Sequence, residues 1–378
     1  MEILSQFGIW GGGWTGWIVP FLFGLSVVVF FHELGHFLVA RWCGVRVEAF
    51  SIGFGPELFG FYDRHGTRWK LSAIPLGGYV KFLGDENAAS VPDQAAVAAM
   101  PEEVRKHSFF HQPVGVRAAI VAAGPLANFL IAIVIFAGVF MYYGKPNTAA
   151  RVDSVQAGSA AAAAGFQSGD LVLSIDGRSI HRFAEMQQIV RGAAGRTLTV
   201  VVDRGGVQHT LTAVPQLQES KDPFGNAQRV GILGITHAGV PEKVDNPARA
   251  VWLGTTETWS LIEQTLSYVG RIIVRREAAD QLGGPIRIAQ VSGQVAKMGF
   301  VPVLSFVAFL SISIGLINLF PIPILDGGHL VFYGIEAIRG KPLSMRVQEV
   351  SFRIGLALVL MLVVFVTYND ILALKLFG

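Results

Sequence analysis

The sequence predicts a polytopic α-helical membrane protein with four transmembrane helices and one β-rich module inserted outside the membrane. Three observations support this fold class. The 378 residues are 52% hydrophobic and only 15% charged, which is too apolar for an ordinary water-soluble protein. Four windows approach or exceed the roughly 20 apolar residues that are needed to cross a bilayer. Between the second and third windows, the pattern changes to short β-type runs separated by glycine turns.

The four apolar windows have charged borders. They cover Trp17–Ala40, 118–144, 298–325 and about 354–374. The first contains one formal charge, Glu33, and the fourth is interrupted by Asp370. The first window is too long for a cleaved signal peptide, and no basic residue precedes it. These borders predict four domains, which cover 1–144, 145–242, 243–297 and 298–378.

Lysine and arginine predict the orientation of the helices through the positive-inside rule. None precedes Arg41, whereas the segments 41–117 and 339–353 are rich in them. Both segments are therefore expected in the cytoplasm, which places the two termini and residues 145–297 on the outer side. The chain lacks the basic, aromatic-interleaved patch that is typical of nucleic-acid binding, so its expected surroundings are the lipid bilayer and not nucleic acid.

The segment FFHELGHF lies inside the first window. Residues four apart lie on one face of a helix, so His32 and His36 can bind one zinc ion together. Glu33 beside them can take a proton from a metal-bound water. Chance gives roughly 0.01 matches to H-E-x-x-H in a chain of this composition. The alternative is a pair of histidines that reach to the membrane interface, but it leaves Glu33 without a partner in hydrocarbon.

A third metal ligand is expected from the segment NLFPIPILDGGH, residues 318–329. Two prolines separated by one residue cannot both fit a regular helix, so the third helix should unwind around Pro321 and Pro323. Asp326 stands at the end of that break, near the same cytoplasmic side as the two histidines. His329 is a competing ligand, and a solvated loop-capping role for Asp326 is the other alternative.

Together, HELGH and N-x-x-P-x-P-x-L-D-G-G resemble the site-2 protease family of intramembrane zinc metalloproteases, in particular its bacterial RseP type. The similarity continues through SIGFGP (51–56), IPLGGYVK (74–81), AGPLANF (123–129) and GGPI (283–286). It covers most of the chain. Many relatives carry two PDZ modules in tandem, whereas residues 145–297 have room for only one.

This resemblance implies a set of site residues. His32, His36 and Asp326 would bind one Zn²⁺, and Glu33 would activate the water. Asn318 would hold the substrate backbone or the developing oxyanion. The further substrate contacts expected are Pro321, Pro323, Gly77, Gly78, Tyr79, Val80 and Asn128. The segment from about 67 to 82 would be a membrane re-entrant β-hairpin, with its bend at Pro75-Leu76-Gly77-Gly78.

The resemblance also implies a substrate class and a location. Members of the family cleave transmembrane segments of proteins that a first protease has already trimmed. Typical substrates are single-pass anti-sigma factors, and some members remove remnant signal peptides. The expected location is the bacterial inner membrane, with both termini and the inserted module in the periplasm. The expected process is regulated intramembrane proteolysis, as part of a stress response.

The inserted module is expected within 147–240. Its β-type runs are Leu171–Ile175, Leu198–Val202 and Gln208–Val214, and this segment resembles a PDZ domain in bacterial permuted order. The peptide groove would then lie along Gly231, Ile232, Leu233, Gly234 and Ile235, whose N–H groups could capture a chain terminus. Alternatively, the module only blocks access and binds no ligand.

Residues 247–276 are amphipathic, with aromatic side chains at Trp252 and Trp259. This pattern is typical of a helix in the membrane interface. Packing against the inserted module is an equally good explanation.

Two other classes of membrane protein share parts of the whole pattern. A secondary transporter would also have broken helices, but internal repeats usually accompany them and none is visible here. A catalytically silent scaffold would not need Glu33. Bound zinc and chelator-sensitive cleavage separate the three classes.

Overall fold

The structure is a computed structural model that describes residues 15–85, 100–145, 149–221, 227–237, 241, 243–274 and 283–373. The chain forms two compact units, one from the described parts of 1–141 and 245–378 and one from 142–244. Within these described ranges, four helices are long and apolar enough to cross a membrane: Gly16–Trp42, Val114–Tyr143, Phe300–Asn318 and Met345–Leu372. These helices coincide with the four apolar windows predicted from the sequence.

The helices and strands of both units are numbered here in chain order. The helices are α1 (Thr15–Trp42), α2 (Glu102–Arg105), α3 (Val114–Tyr143), α4 (Ala160–Ala163), α5 (Phe183–Arg191), α6 (Pro247–Ile273), α7 (Pro285–Lys297), α8 (Phe300–Asn318), α9 (Asp326–Arg339) and α10 (Met345–Ala373). The strands are β1 (Val47–Tyr62), β2 (Arg68–Phe82), β3 (Ser154–Val155), β4 (Leu171–Ile175), β5 (Arg178–Ser179), β6 (Leu198–Arg204), β7 (Val207–Ala213), β8 (Gln216–Lys221), β9 (Ala227–Ile232) and β10 (Ile235–Thr236). A single 3₁₀ turn, Phe109–His111, precedes α3.

The long strands β1 and β2 form an antiparallel pair with repeated register shifts. Ser51 has a partner on each side, Tyr79 and Lys70, so the first half of β1 lies between two stretches of β2. Along 49–52, the partners 68–71 rise in number while the partners 78–81 fall, so the chain reverses direction between Leu71 and Gly78, where the bend at Pro75–Gly78 was predicted. A second, tight turn at residues 63–67 joins β1 to β2, and β1, which the sequence analysis missed, supplies the partner strand.

Asp63 fixes the turn between β1 and β2. Its carboxylate accepts hydrogen bonds from the backbone N–H groups of His65 and Thr67 at 2.8 and 3.0 Å and from the Trp69 indole at 3.1 Å. Arg41, at the end of α1, pairs with it at 2.5 Å. Burial alone would raise the pKa of Asp63, but the hydrogen bonds and Arg41 lower the pKa to about 2. The turn is therefore anchored to α1 at every ordinary pH.

The second unit is a small β-rich module with its own core. Its main sheet has the order β5-β4-β6-β7, and β8-β9 and β10-β3 form two further pairs. The three predicted runs correspond to β4, β6 and β7, which confirms them as strands. Ser159 caps α4 by accepting a hydrogen bond from the Ala162 N–H at 3.2 Å. The fully buried core residues are Val152, Ala161, Leu198, Val200 and Val202.

The amphipathic helix α6 packs one face against α3. Ala250 and Thr258 are buried, and a Cβ atom added at Gly254 would lie 2.7 Å from the Ile133 carbonyl oxygen. On the opposite face, Trp252 and Trp259 are about two-thirds exposed, at 67% and 68%. The small residues of α6 therefore explain its close approach to α3, while its aromatic stripe is left uncovered within this unit.

Asp370 explains the charge that interrupts the fourth apolar window. The side chain is 4% exposed and caps the N-terminus of α7. It accepts hydrogen bonds from the backbone N–H groups of Gly284, Ile286 and Arg287 at 2.8, 3.0 and 3.1 Å. A carboxylate at a helix N-terminus satisfies unpaired donors and complements the helix dipole. Asp370 thus joins α10 to α7.

We expect Asp370→Ala to lower the stability of the protein in detergent by about 1–2 kcal/mol, because three buried N–H groups lose their acceptor. Thermal unfolding measures this loss. Leu372→Ala is the matched control, since Leu372 lies on the same helix and is more than half exposed. Equal melting temperatures for Asp370→Ala and the wild type would show that the cap contributes nothing.

Candidate metal centre

The candidate metal ligands come from two places in the chain: the helix α1 and the start of α9, just after a break in the helical backbone. His32, Glu33 and His36 lie in the second half of α1, and Asp326 is the first residue of α9. The backbone between the end of α8 at Asn318 and the start of α9 is non-helical. The predicted break around the two prolines is therefore confirmed.

The glycines after Asp326 allow the broken segment to fold onto the start of α9. A Cβ atom at Gly327 would overlap the carbonyl oxygens of Leu319 and Phe320, and one at Gly328 would overlap that of Ile322. The motif LDGG therefore has a steric reason, since only hydrogen in these two positions lets the turn close behind the carboxylate.

Three ligand atoms converge on one point. His32 Nε2 lies 3.2 Å from Asp326 Oδ2, His36 Nε2 lies 3.6 Å from the same oxygen, and the two Nε2 atoms are 3.3 Å apart. A tetrahedral zinc ion with ligand bonds of about 2.0–2.1 Å separates its ligands by about 3.3–3.4 Å. These separations therefore fit the edges of a zinc tetrahedron.

The hydrogen bonding of the three residues also fits a metal. Asp326 Oδ2 is buried and has no hydrogen-bond partner among the described residues, although two imidazoles surround it. His36 donates its Nδ1–H to the Ile120 carbonyl oxygen at 2.9 Å, which leaves the Nε2 lone pair free. Two nitrogens and one carboxylate oxygen form the usual ligand set of a catalytic zinc site that keeps a position open for water. Within the described residues, His32, His36 and Asp326 form the one group of this kind.

The second long apolar helix, α3, supports this cluster. A Cβ atom at Gly35 would overlap the Ala123 carbonyl oxygen, so α1 and α3 are in direct backbone contact there. This contact brings the Ile120 carbonyl oxygen to His36. At the start of α3, Arg117 pairs with Glu336 of α9 at 2.5 Å. The metal ligands of α1 and α9 are thus both tied to α3.

A cavity of about 580 Å³ opens beside the three ligands. Its wall includes Glu33, Gly78, Tyr79, Val80 and Asn318. Glu33 is close to β2, because a Cβ atom added at Gly78 would lie 3.1 Å from Glu33 Cγ. The strand β2 therefore borders the same space as the glutamate and the metal ligands. We call this space the metal-site cavity.

Several residues expected to contact substrate lie elsewhere. Gly77, Pro321 and Pro323 do not line the metal-site cavity, and Pro323 packs against Gly355 of α10. Asn128 is fully buried, with its side chain against His32, so the structure places it beside a metal ligand and not on the open surface of the cavity. His329 lines the cavity, but its ring packs against Phe352 at 5.3 Å and lies outside the ligand cluster.

The sequence analysis also missed residues that support the site. The Ile120 carbonyl belongs to the backbone, and no residue type could have indicated its role. Arg117 and Glu336 are far apart in the sequence, and each resembles an ordinary charge at a helix end. Only the fold brings them together in the wall of the metal-site cavity, where the Arg117 guanidinium also lies 4.9 Å from the centre of the Tyr333 ring.

The second unit has a groove of its own, with a volume of about 270 Å³. One wall is the edge formed by the five residues predicted for the peptide groove: Gly231, Ile232, Leu233, Gly234 and Ile235. The other wall is α5, through Phe183, Met186 and Val190. The structure therefore brings the predicted residues to one concave surface.

Comparison with known proteins gives a consistent result over nearly the whole chain. The model of peptidase family M50 matches residues 20–362. A zinc metalloprotease homologue of Agrobacterium fabrum is 51% identical over 361 residues, which cover 94% of this chain and 96% of that protein. Metalloprotease MmpA of Caulobacter vibrioides is 42% identical over 377 residues, covering 94% and 95%. Among solved structures, the PDZ domain of an SdrC-like protein from Listeria monocytogenes matches 25% of this chain and 87% of its own, at 24% identity and a TM-score of 0.18.

We expect Asp326→Asn to weaken zinc binding, because the anionic ligand is replaced by a neutral one, and His329→Ala to leave zinc binding unchanged. The measurement is zinc per chain after dialysis against a graded series of chelator concentrations. His329→Ala is the matched control, since it lies one turn away in the same cavity. Loss of zinc from His329→Ala with full retention in Asp326→Asn would reverse the assignment of the third ligand.

Proposed function

The chain belongs to peptidase family M50, the site-2 proteases, and is a zinc metalloprotease; from this premise we propose that it cleaves the transmembrane segments of membrane proteins within the bilayer. The observation that carries the proposal is the location of the ligand cluster. His32 and His36 lie on α1, which is long and apolar enough to cross a membrane, and Asp326 begins α9 after the short broken segment that follows α8, another such helix. Such a site is costly to build unless its chemistry is needed at that depth.

Zinc, when bound by His32, His36 and Asp326, lowers the pKa of a bound water and polarises a carbonyl group. The chain supplies the rest of the reaction. Glu33 lines the metal-site cavity directly beside the ligands and accepts the proton of the attacking water. The same carboxylic acid then donates that proton to the amine that leaves when the peptide bond breaks. Glu33 thus acts first as a base and then as an acid.

Asn318 is proposed to hold the substrate near the reacting bond. It is the last residue of α8, immediately before the broken segment, and it lines the metal-site cavity. Its side-chain amide can donate to a substrate carbonyl or to the oxyanion that develops there, and it can accept from a substrate N–H. A rigid helix end holds such a group in place before the substrate arrives.

A transmembrane helix hides its carbonyl groups in internal hydrogen bonds, so it must be unwound before it can be cut. We propose that β2 holds the unwound segment as an added strand. One side of residues 78–82 pairs with β1, while Gly78, Tyr79 and Val80 line the metal-site cavity. Main-chain groups on a strand edge bind an extended peptide largely irrespective of its sequence. This arrangement places the scissile bond beside Glu33.

The proposed substrates are single-pass membrane proteins of the anti-sigma-factor type after a first cut, and also remnant signal peptides. The proposed location is the bacterial inner membrane, with both termini and the second unit in the periplasm. The distribution of lysine and arginine supports this orientation. The second unit is proposed to be a PDZ domain that captures a peptide terminus in the groove between β10 and α5, because that groove is concave and bordered by a strand edge.

We expect Glu33→Gln to abolish turnover while zinc stays bound, because the amide cannot accept a proton but the three ligands are intact. The loss should be at least about 100-fold, the lower end of what acid–base catalysis contributes. Cleavage of a model transmembrane substrate and zinc content are measured on the same preparation. Substantial cleavage by a preparation shown to be free of wild-type enzyme would contradict this role.

Strand addition predicts that Val80→Pro slows cleavage without removing zinc, since proline removes an N–H and restricts the edge. Phe82→Pro is the matched control, because the Phe82 N–H already donates to Asp85 Oδ2 at 2.9 Å and is not available to a substrate. We expect Phe82→Pro to act through stability, so that its activity loss follows its fall in melting temperature. If the activity lost by Val80→Pro also only follows its melting temperature, β2 does not bind substrate in this way.

A further inference from the structure

A histidine that binds a metal through Nε2 must carry its proton on Nδ1. That Nδ1–H normally donates to a neighbouring acceptor, which fixes both the tautomer and the orientation of the ring. For His36 the acceptor is the Ile120 carbonyl oxygen at 2.9 Å. His32 needs an acceptor of its own, and a backbone carbonyl does not supply it.

The group that faces His32 Nδ1 is the side-chain amide of Asn128. The amide nitrogen is placed 3.2 Å from Nδ1, while the amide oxygen is buried and has no hydrogen-bond partner among the described residues. This arrangement would put the His32 proton on Nε2 and block its lone pair. The oxygen and nitrogen of an amide occupy nearly equivalent positions, so a half-turn about the side chain exchanges them.

We propose that Asn128 is a positioning residue of the zinc site, whose side-chain oxygen accepts the Nδ1–H of His32 and so turns the Nε2 lone pair toward the metal. Exchange of the amide oxygen and nitrogen places the Asn128 oxygen next to the His32 Nδ1–H. The orphan oxygen gains a donor, and the His32 tautomer becomes the one that binds metal. The inference concerns the same zinc site, and it assigns a residue outside the ligand set.

The surroundings of Asn128 suit a positioning role. The residue is fully buried, so it is closed to substrate and to water. Its backbone carbonyl accepts a hydrogen bond from the Ser311 hydroxyl at 2.8 Å. A Cβ atom added at Gly315 would lie 3.1 Å from Asn128 Cβ, so α8 packs closely on this part of α3. The amide is thereby held at one place on the His32 ring.

The test compares zinc affinity in three variants of the full-length enzyme, by competition with a chromophoric chelator. Asn128→Leu keeps a similar volume but has no acceptor, and we expect it to weaken zinc binding by about 10- to 100-fold. Asn128→Asp restores an acceptor oxygen and should bind zinc nearly as tightly as the wild type. Ser311→Ala removes the neighbouring backbone contact without touching the amide and should also retain the wild-type affinity.

The outcomes separate positioning from packing. Wild-type zinc affinity in Asn128→Leu would overturn the proposal, as would an equal loss in Ser311→Ala or a failure of Asn128→Asp to recover binding. Melting temperatures of the zinc-saturated variants show that each is folded. His36→Ala is measured alongside. If His36→Ala binds zinc like the wild type, the zinc site itself is misassigned. If His36→Ala loses zinc while Asn128→Leu keeps it, only the role of Asn128 is wrong.

Discussion

The whole structure depends on bringing three lone pairs together inside an apolar group of helices. Two come from His32 and His36, which lie on one face of α1 because residues four apart in a regular helix share a face. The third comes from Asp326, which reaches the same point only because the chain stops being helical after Asn318 and resumes at α9. Each unpaired group in such surroundings is costly, so the cluster is favourable only when a cation joins it. The two prolines break the helix, and the two glycines let the broken segment fold closely enough for Asp326 to reach the two histidines.

The helix α3 has a supporting role that its largely apolar sequence does not reveal. It offers a carbonyl to one histidine, an amide to the other and an arginine to α9. Through these contacts, both α1 and α9 are held against α3. The distances between the metal ligands therefore do not depend only on direct packing of α1 against α9. Small residues make this possible, because the contact at Gly35 leaves no room for a side chain.

How far the sequence predicts the structure follows from the range of each interaction. The four apolar helices, the two histidines and the break before Asp326 are encoded locally, by composition, by a four-residue spacing and by proline, and all of them are found. The path of β1 and β2 was predicted only in part: β1 was missed, because a strand partner and its register are set by contacts between distant residues. Asn128 was expected at the substrate for a related reason. Its motif marks it as a notable residue, but only the packing of α3 on α1 shows that it faces His32.

The Asp370 cap has a consequence for how the chain is built into the membrane. A lone carboxylate near the end of an apolar helix raises the cost of inserting that helix, by about 2.5–3.5 kcal/mol at the helix centre. The three N–H groups that offset this cost belong to the start of α7, which the ribosome makes before α10. The N–H donors that Asp370 requires are therefore made before the helix that carries it. Synthesis order and tertiary contact are thus matched, because the groups that offset the cost of the buried carboxylate precede it in the chain.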